Sequence, residues 1–306
     1  MLSPKHSKVT IPTRSACLGI FTSLFLGAFS LSSLAGAPPS VVHGLWVWKS
    51  ASVLSAPGSA ERLAQFCQSE NINEVYVSVS PLGDASMESR LVRLVAVLHR
   101  SNIRVEALLS STVADEPGEH REKFLDQVRE IVQFNRSHPS GQFDGIHLDI
   151  EPQQRAENKG QGNLKFLPGL VDAYRGVRVQ AEHARLRVNA DIQNKLLKGD
   201  VAQRRMLLSS LPRFTLMLYE LSSPNDGVTV ERKAELLRKA SQKFLAMAYD
   251  GLNDRNLAKM VIALRTPDYG GLLPRMLETL DDANHSNPHY QGWARHSYND
   301  SLDAAH

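Results

Sequence analysis

The sequence predicts an α/β protein with the fold of a (β/α)8 barrel. From Gly44 onward, short apolar strands alternate with amphipathic helices, a pattern typical of parallel strands that are covered by helices. Eight such strands fit into roughly 265 residues, which is the usual length of a closed eight-stranded barrel. The segments that follow the strands are also longer and more polar than those that precede them.

The predicted strands are short apolar segments, and they lie at 45–48, 75–80, 105–110, 145–151, 188–193, 214–219, 260–265 and 292–298. The predicted helices repeat their apolar residues every three or four positions, and they lie at 88–99, 122–134, 164–183, 201–208, 230–248 and 272–284. Segment 244–249 is compatible with either the end of a helix or a strand.

Loop length indicates which end of the barrel carries the chemistry. The long polar segments 50–59, 111–119, 153–163 and 221–228 all follow strands. Barrels of this kind keep their active sites at the C-terminal ends of the strands. We therefore expect the functional side chains at that end.

Residues 1–37 predict a secretory signal peptide and its cleavage region, so the barrel is a single domain over 38–306. Basic residues precede an apolar run from Ala16 to Leu34, and small residues follow it. A retained membrane anchor is the alternative. Lys5, Lys8 and Arg14 account for the whole net charge of +3, so the mature chain has no electrostatic preference for nucleic acid. We expect an exported, periplasmic or extracellular protein that is not stably inserted in the membrane.

The segment Phe143 to Pro152 is the most informative part of the sequence. As a strand it has an apolar face, made of Ile146, Leu148 and Ile150, and a polar face, made of His147, Asp149 and Glu151. The two acids face the same way at the C-terminal end of the strand. They are close enough to perturb each other's pKa, which makes them a candidate acid site.

This segment resembles the signature of the family 18 glycoside hydrolases, chitinase-like barrels whose fourth strand reads Asp-Gly-x-Asp-x-Asp-x-Glu. Asp144, Gly145, Asp149 and Glu151 match it. The resemblance implies that Glu151 protonates the glycosidic oxygen. It also implies that Asp149 orients the N-acetyl group of the substrate, whose carbonyl is the nucleophile, an exception to the usual pair of catalytic carboxylates.

His147 stands where the family has its middle Asp. An imidazole there could donate a hydrogen bond to Asp149 and hold it ionised, or it could contact the substrate. The alternative is a histidine that fills the barrel and is hydrogen-bonded in place.

The sixth strand strengthens the resemblance. Met217 and Tyr219 match the Met-x-Tyr-Asp of the family, and Glu220 replaces its Asp. The resemblance implies that Tyr219 and Glu220 contact the N-acetyl group or the intermediate formed from it. Residues 247–250 spell the pattern in full, and these roles would move there if that segment were a strand.

Aromatic and polar residues of other strands are candidates for substrate binding. Trp46 and Trp48 share a face of the first strand, and Trp293 lies on the last strand, which closes onto the first. Their rings could stack on sugars or fill the barrel. Asp191, Gln193 and Arg265 have the parity and depth expected of groove residues, and rim salt bridges are their alternative.

The sequence therefore predicts a glycoside hydrolase-like barrel that acts on a polysaccharide or oligosaccharide, without a cofactor or metal. A carbohydrate-binding barrel without catalysis is one alternative. A metal-dependent hydrolase with Asp149, Glu151, Asp191 and His147 as ligands is another, although residues 46–48 replace the His-x-His of many such barrels.

Overall fold

Eight parallel strands close into a barrel in the computed structural model, which describes residues 41–79, 82–223, 226–254 and 256–303. Each strand pairs with the next one along the chain, and the last pairs with the first. The predicted (β/α)8 barrel is thus confirmed. The predicted signal peptide, residues 1–37, lies outside the described residues.

The strands agree with the predicted ones, with ends displaced by at most three residues. They are β1 Val42–Val47, β2 Glu74–Ser78, β3 Arg104–Ser111, β4 Gly145–Ile150, β5 Arg187–Gln193, β6 Arg213–Met217, β7 Lys259–Arg265 and β8 Tyr290–His296.

The helices alternate with the strands. They are α1 Ser50–Val53, α2 Ser59–Ser69, α3 Ala85–Arg100, α4 Glu119–Ser137, α5 Leu167–His183, α6 Val201–Leu208, α7 Val230–Tyr249, α8 Thr266–Tyr269, α9 Leu273–Asn284 and α10 Tyr298–Asp303. Local chemistry fixes several of their starts. Asp84 accepts the backbone N–H of Met87 at the start of α3, and Asp200 forms a reciprocal capping box with Gln203 at the start of α6. Segment 244–249 is helical and forms the end of α7.

The core has two layers. The outer faces of the strands pack against the helices, as Ile146, Leu148 and Ile150 of β4 do. A smaller cluster fills the barrel itself, and its members are Val42, Trp46, Tyr76, Leu108, Val261, Ala263 and Ala294. Buried polar side chains such as Glu74, Glu106 and His147 occupy the rest of the interior, so the barrel is packed with side chains.

Two further features concern the helices. Among the described residues, no helix combines the length and the apolarity needed to cross a membrane. Cys67 of α2 is fully buried in the core, and burial raises the pKa of its thiol to about 12.

Candidate active site

A cleft of about 850 Å³ opens at the C-terminal ends of the strands. The side chains that line it come from several strands and include Trp48, Asp149, Glu151, Tyr219, Arg265 and His296. The long segments after the strands surround this end, as expected of the working face of such a barrel. The described structure therefore brings the two acids and most of the predicted groove residues to one cavity.

Strand β4 delivers the acids to the cleft. Its alternation places His147 inside the barrel, fully buried, and Asp149 one step nearer the opening. The backbone N–H of Glu151 donates to the carbonyl of Ser111, at 2.8 Å, so the ladder with β3 extends to the second acid. Pro152 follows and begins a short 3₁₀ turn.

The first two residues of the motif are structural. Asp144 accepts the backbone N–H of Val105, at 2.8 Å, and lies 2.9 Å from the ring of His99, on the far side of the barrel from the cleft. A Cβ on Gly145 would lie 2.9 Å from the carbonyl oxygen of Arg187 and 3.1 Å from the carboxyl of Glu106. Glycine at 145 therefore leaves room for a buried acid on the neighbouring strand.

Glu151 is half-buried at the edge of the cleft. Its Oε1 accepts hydrogen bonds from Gln153, at 2.9 Å, and from Gln193, at 3.1 Å, and its Oε2 accepts one from Gln154. Burial raises the pKa of Glu151, and the amide donors oppose that rise because they stabilise the charged form. The net effect is a raised pKa, as a proton donor requires.

Asp149 is 7% exposed and its Oδ1 is buried without a hydrogen-bond partner among the described residues. Burial raises its pKa well above the ordinary value, and the nearby carboxyl groups of Asp191 and Glu151 raise it further. A buried oxygen with no partner is costly unless a ligand fills the place. Asp149 is thus suited to hold a proton and present it toward the cleft.

His147 corrects one of the expectations. Its Nε2 lies 2.8 Å from Asp191 Oδ1 and its Nδ1 lies 3.3 Å from Glu106 Oε2, so the imidazole does not bind Asp149 and does not line the cleft. Burial alone would lower the pKa of His147, but the two carboxylates outweigh it and raise that pKa to about 9. The side chains of other strands, rather than the next acid on β4, take up both nitrogens.

Three aromatic rings converge on the floor and wall of the cleft. The indole of Trp48 donates to Nε2 of His296, at 2.6 Å, and the ring of Tyr219 lies 5.8 Å from that imidazole. Trp46 lies deeper, 1% exposed, and its indole N–H donates to Asp191 Oδ2, at 3.3 Å. Trp48 and Tyr219 therefore border the cleft, whereas Trp46 chiefly fills the barrel beneath it.

Tyr219, rather than the second copy of its motif, occupies the cleft. Burial raises the pKa of Tyr219 well above its usual value, and Asp191, Asp149 and Glu151 add to the effect, so its phenol stays protonated. In the second copy, the hydroxyl of Tyr249 donates to the carbonyl of Ala258, at 2.6 Å, at the end of a helix.

Arg265 and Glu220 lie on the rim. Arg265 binds Asp268 at 2.6 Å and lies over the ring of Tyr219, 5.5 Å from its centroid. The side chain of Glu220 is 80% exposed and is 3.8 Å from Arg265, and its backbone N–H donates to Asp268 at 2.8 Å. The longer carboxylate at 220 thus extends into solvent, and the buried carboxylate beside the strand is that of Asp268.

Trp293 does not border the cleft, which corrects the expectation that it joins Trp46 and Trp48. It pairs with His43 in the register between β8 and β1, on the outer face of the barrel. Its ring stacks on that of His43 at 4.2 Å and its indole donates to Asp281 of α9, at 3.0 Å.

Two residues that contribute to the site, His296 and Asp268, were not predicted from the sequence. His296 is central to the cleft but lies alone at the end of β8, with no motif around it. Asp268 follows the end of β7 by three residues. Its spacing of three from Arg265, which allows the two side chains to pair, is the signal in the sequence that could have identified it. Burial lowers the pKa of His296, so it stays neutral, as an acceptor for the indole of Trp48 must be.

The geometry gives no support to a metal centre. Within the described ranges, no group of three or more His, Cys, Asp or Glu side chains is arranged to hold a metal ion. Both nitrogens of His147 face carboxylates, so its ring has no lone pair directed at the cleft, and Glu151 is surrounded by amides.

A closed (β/α)8 barrel with an acidic, aromatic-lined cleft at its C-terminal end has the layout of a glycoside hydrolase-like barrel. The sequence matches no protein-family model and no curated protein. Solved structures nevertheless resemble the whole barrel.

One is the glycoside hydrolase domain of PgaB (BpsB) from Bordetella bronchiseptica, with a TM-score of 0.53 and 13% identity over 87% of this chain and 97% of that one. A GH18 chitinase from Pseudoalteromonas aurantia gives a TM-score of 0.53 and 10% identity, over 86% and 96% of the two chains. A chitinase from Bacteroides thetaiotaomicron gives 0.52 and 12%, over 86% and 93%. At such identities the likeness establishes the fold, which is that of a chitinase-like barrel.

Proposed function

We propose that this protein is an exported glycoside hydrolase that cleaves a polysaccharide or amino-sugar glycan, with Glu151 as general acid. The observation that carries the proposal is the position of Glu151, half-buried at the cleft edge and one strand step beyond Asp149. Burial raises the pKa of Glu151, so its carboxyl group holds a proton to higher pH than a free Glu does.

In the proposed reaction, Glu151 transfers its proton to the glycosidic oxygen while the bond between that oxygen and the anomeric carbon breaks. If the substrate carries an N-acetyl group, its carbonyl oxygen attacks the anomeric carbon, and Asp149 and the phenol of Tyr219 orient and stabilise that group. Water then opens the intermediate and returns a proton to Glu151. Trp48 offers an aromatic face to a sugar ring, and Gln193, Glu220 and Arg265 offer polar contacts at the rim.

Substitution of Glu151 tests the proposal. The release of reducing ends would be measured on a panel of β-linked glycans, N-acetylated and non-acetylated, with the wild type, Glu151→Gln and Glu157→Gln. Loss of the general acid is expected to reduce turnover about 10²- to 10⁴-fold. Glu157 is an exposed acid of the same loop, so its variant should retain full turnover. Unchanged turnover in Glu151→Gln would contradict the assignment.

A carbohydrate-binding barrel without catalysis is the second candidate. The observation that favours it is the set of three glutamine amides around Glu151, since such donors stabilise a carboxylate rather than a proton donor. The same panel separates the two functions. If the wild type and Glu151→Gln both bind sugar and neither cleaves it, the protein is a carbohydrate-binding barrel without catalysis.

A further inference from the structure

A line of alternating charges crosses the barrel interior and ends at the cleft. Its members, in spatial order, are Arg104, Glu74, Arg213, Glu106, His147 and Asp191. Each member contacts the next: Arg104 lies 3.5 Å from Glu74, Arg213 binds both glutamates, and His147 joins Glu106 to Asp191. With His147 protonated, the line contains three cations and three anions and is neutral overall.

The contacts of His147 define its protonation. Its two ring nitrogens lie 2.8 Å and 3.3 Å from carboxylate oxygens of Asp191 and Glu106. A carboxylate only accepts hydrogen bonds, so each nitrogen must carry a proton. The ring is fully buried between Tyr76, whose ring stacks on it at 3.8 Å, and Trp46. His147 is therefore an imidazolium held in the barrel core.

Asp191 is the end of the line nearest the cleft. Leu148 of β4 is paired with Ala190 of β5, so the next residues of the two strands, Asp149 and Asp191, lie side by side and both face inward. Asp191 is 3% exposed, with Oδ1 on His147 and Oδ2 on the indole of Trp46. Asp149, in contrast, contacts no base among the described residues.

We propose that the His147–Asp191 ion pair is a positioning element that keeps one proton on the two cleft acids, Asp149 and Glu151. The imidazolium lies 2.8 Å from Asp191, and a negative charge on Asp191 beside the cleft opposes the simultaneous ionisation of both acids. One proton is thereby retained in the cleft, where Glu151 can transfer it to a leaving oxygen. The catalytic meaning of this element rests on the proposed function, but the electrostatic arrangement does not.

Among the described residues, His147 is the cation that pairs with Asp191, and Lys49, Lys195 and Arg265 line the same cleft without forming an ion pair with it. The titratable groups that face it from the packed elements are Tyr76 of β2, Asp149 and Glu151 of β4, Tyr174 of α5, Tyr219 after β6 and His296 of β8. All are acids or phenols except His296, whose pKa burial lowers. Arg265 lies beyond Tyr219 and is engaged with Asp268.

Two measurements on the full chain test the proposal without any substrate. The ¹⁵N shifts of the His147 ring in the wild type should show both nitrogens protonated at pH 7. Carboxyl ¹³C shifts should then be followed through a pH titration in the wild type, Asp191→Asn and Asp126→Asn, with Asp149→Asn and Glu151→Gln used for assignment. In Asp191→Asn, the titration midpoint of the proton that Asp149 and Glu151 retain should fall by about one pH unit or more. Asp126 is an exposed acid of α4, and its variant should titrate as the wild type does.

A neutral imidazole at pH 7 in the wild type would overturn the proposal, and this result needs no variant. An unchanged midpoint in a folded Asp191→Asn would overturn it as well. If a glycan of the panel is cleaved, the alkaline limb of the pH–rate profile should move to lower pH by the same amount. A shifted titration without turnover of any glycan would support the ion pair and contradict the proposed function, so the two failures are distinguishable.

Discussion

Buried acids have opposite surroundings in the two halves of the barrel interior. The lower half lies toward the N-terminal ends of the strands, and the upper half borders the cleft at their C-terminal ends. In the lower half, Glu106 lies between Arg213 and His147, at 3.1 Å and 3.3 Å. In the upper half, Asp149 is almost as deeply buried and has no basic partner among the described residues. Burial acts to raise the pKa of both. In Glu106 the two cations outweigh burial and lower the pKa, whereas in Asp149 the neighbouring acids raise it further.

Burial therefore does not by itself distinguish a structural acid from a functional one. What differs between Glu106 and Asp149 is the sign of the nearest charge, since a cation within hydrogen-bond distance stabilises the ionised form and a second carboxyl group opposes it. In the lower half, Glu74 and Glu106 form ion pairs with the buried Arg213. In the upper half, Asp149 has an oxygen that remains available to a ligand in the cleft.

The largest expected effect comes from removing the cation of the lower half. Arg213→Met leaves Glu74 and Glu106 buried without their shared partner, which should lower the free energy of unfolding by about 3–5 kcal/mol. Chemical denaturation at pH 7 measures it. Arg129→Met is the matched control, because Arg129 is exposed and pairs with Asp126 on the surface of α4, where loss of a pair costs at most about 1 kcal/mol. Equal losses in the two variants would show that the lower half is not held by its ion pairs.

The contribution of Asp149 to the free energy of unfolding should decrease with rising pH, whereas that of a carboxylate in an ordinary ion pair increases. Because the folded pKa of Asp149 is raised above an unfolded value of about 3.9, the wild type loses stability as pH rises from that value through the folded pKa. Asp149→Asn cannot ionise and escapes this loss. Its stability relative to the wild type should therefore be similar near pH 4 and increase with pH, reaching a gain of about 1–3 kcal/mol.

Denaturation curves at intervals between pH 4 and pH 9 give this difference directly. A difference that stayed constant with pH would mean that Asp149 has the same proton affinity in the folded and unfolded chain. The contrast between the two halves would then rest on packing rather than on charge.

Local periodicity explains how much of this molecule was predictable from its sequence. The two-residue period of β4 places His147, Asp149 and Glu151 on the face opposite Ile146 and Leu148, and one strand is enough to see this. The order of strands and helices follows in the same way, because each βα unit is complete within a short segment. The end of α7 was ambiguous only because residues 244–249 are apolar enough for either state.

Contacts between strands were not predictable in this way. The partners of His147 come from β3 and β5, and the position of Trp293 depends on the register between β8 and β1. Closure of a barrel sets that register through the tilt and stagger of all eight strands, and no single segment encodes it. His296 shows the same limit, since its place at the centre of the cleft depends on Trp48, which is 248 residues away in the chain.

Substitutions of Trp48, which follows β1, and of Trp293, on the neighbouring strand β8, have the smallest expected effect and test the register between the two strands. Trp48 faces the cleft and Trp293 faces α9. Substitution by Phe should therefore affect glycan binding at Trp48 and stability at Trp293. Trp48→Phe removes the indole bond to His296 and part of the aromatic face, which should weaken binding of a cleaved glycan roughly three- to tenfold. Trp293→Phe should leave glycan binding unchanged and lower the free energy of unfolding by about 1 kcal/mol, because the bond to Asp281 is lost. Titration calorimetry and denaturation of both variants would check this, and weaker glycan binding in Trp293→Phe would mean that β8 closes onto β1 with its faces reversed.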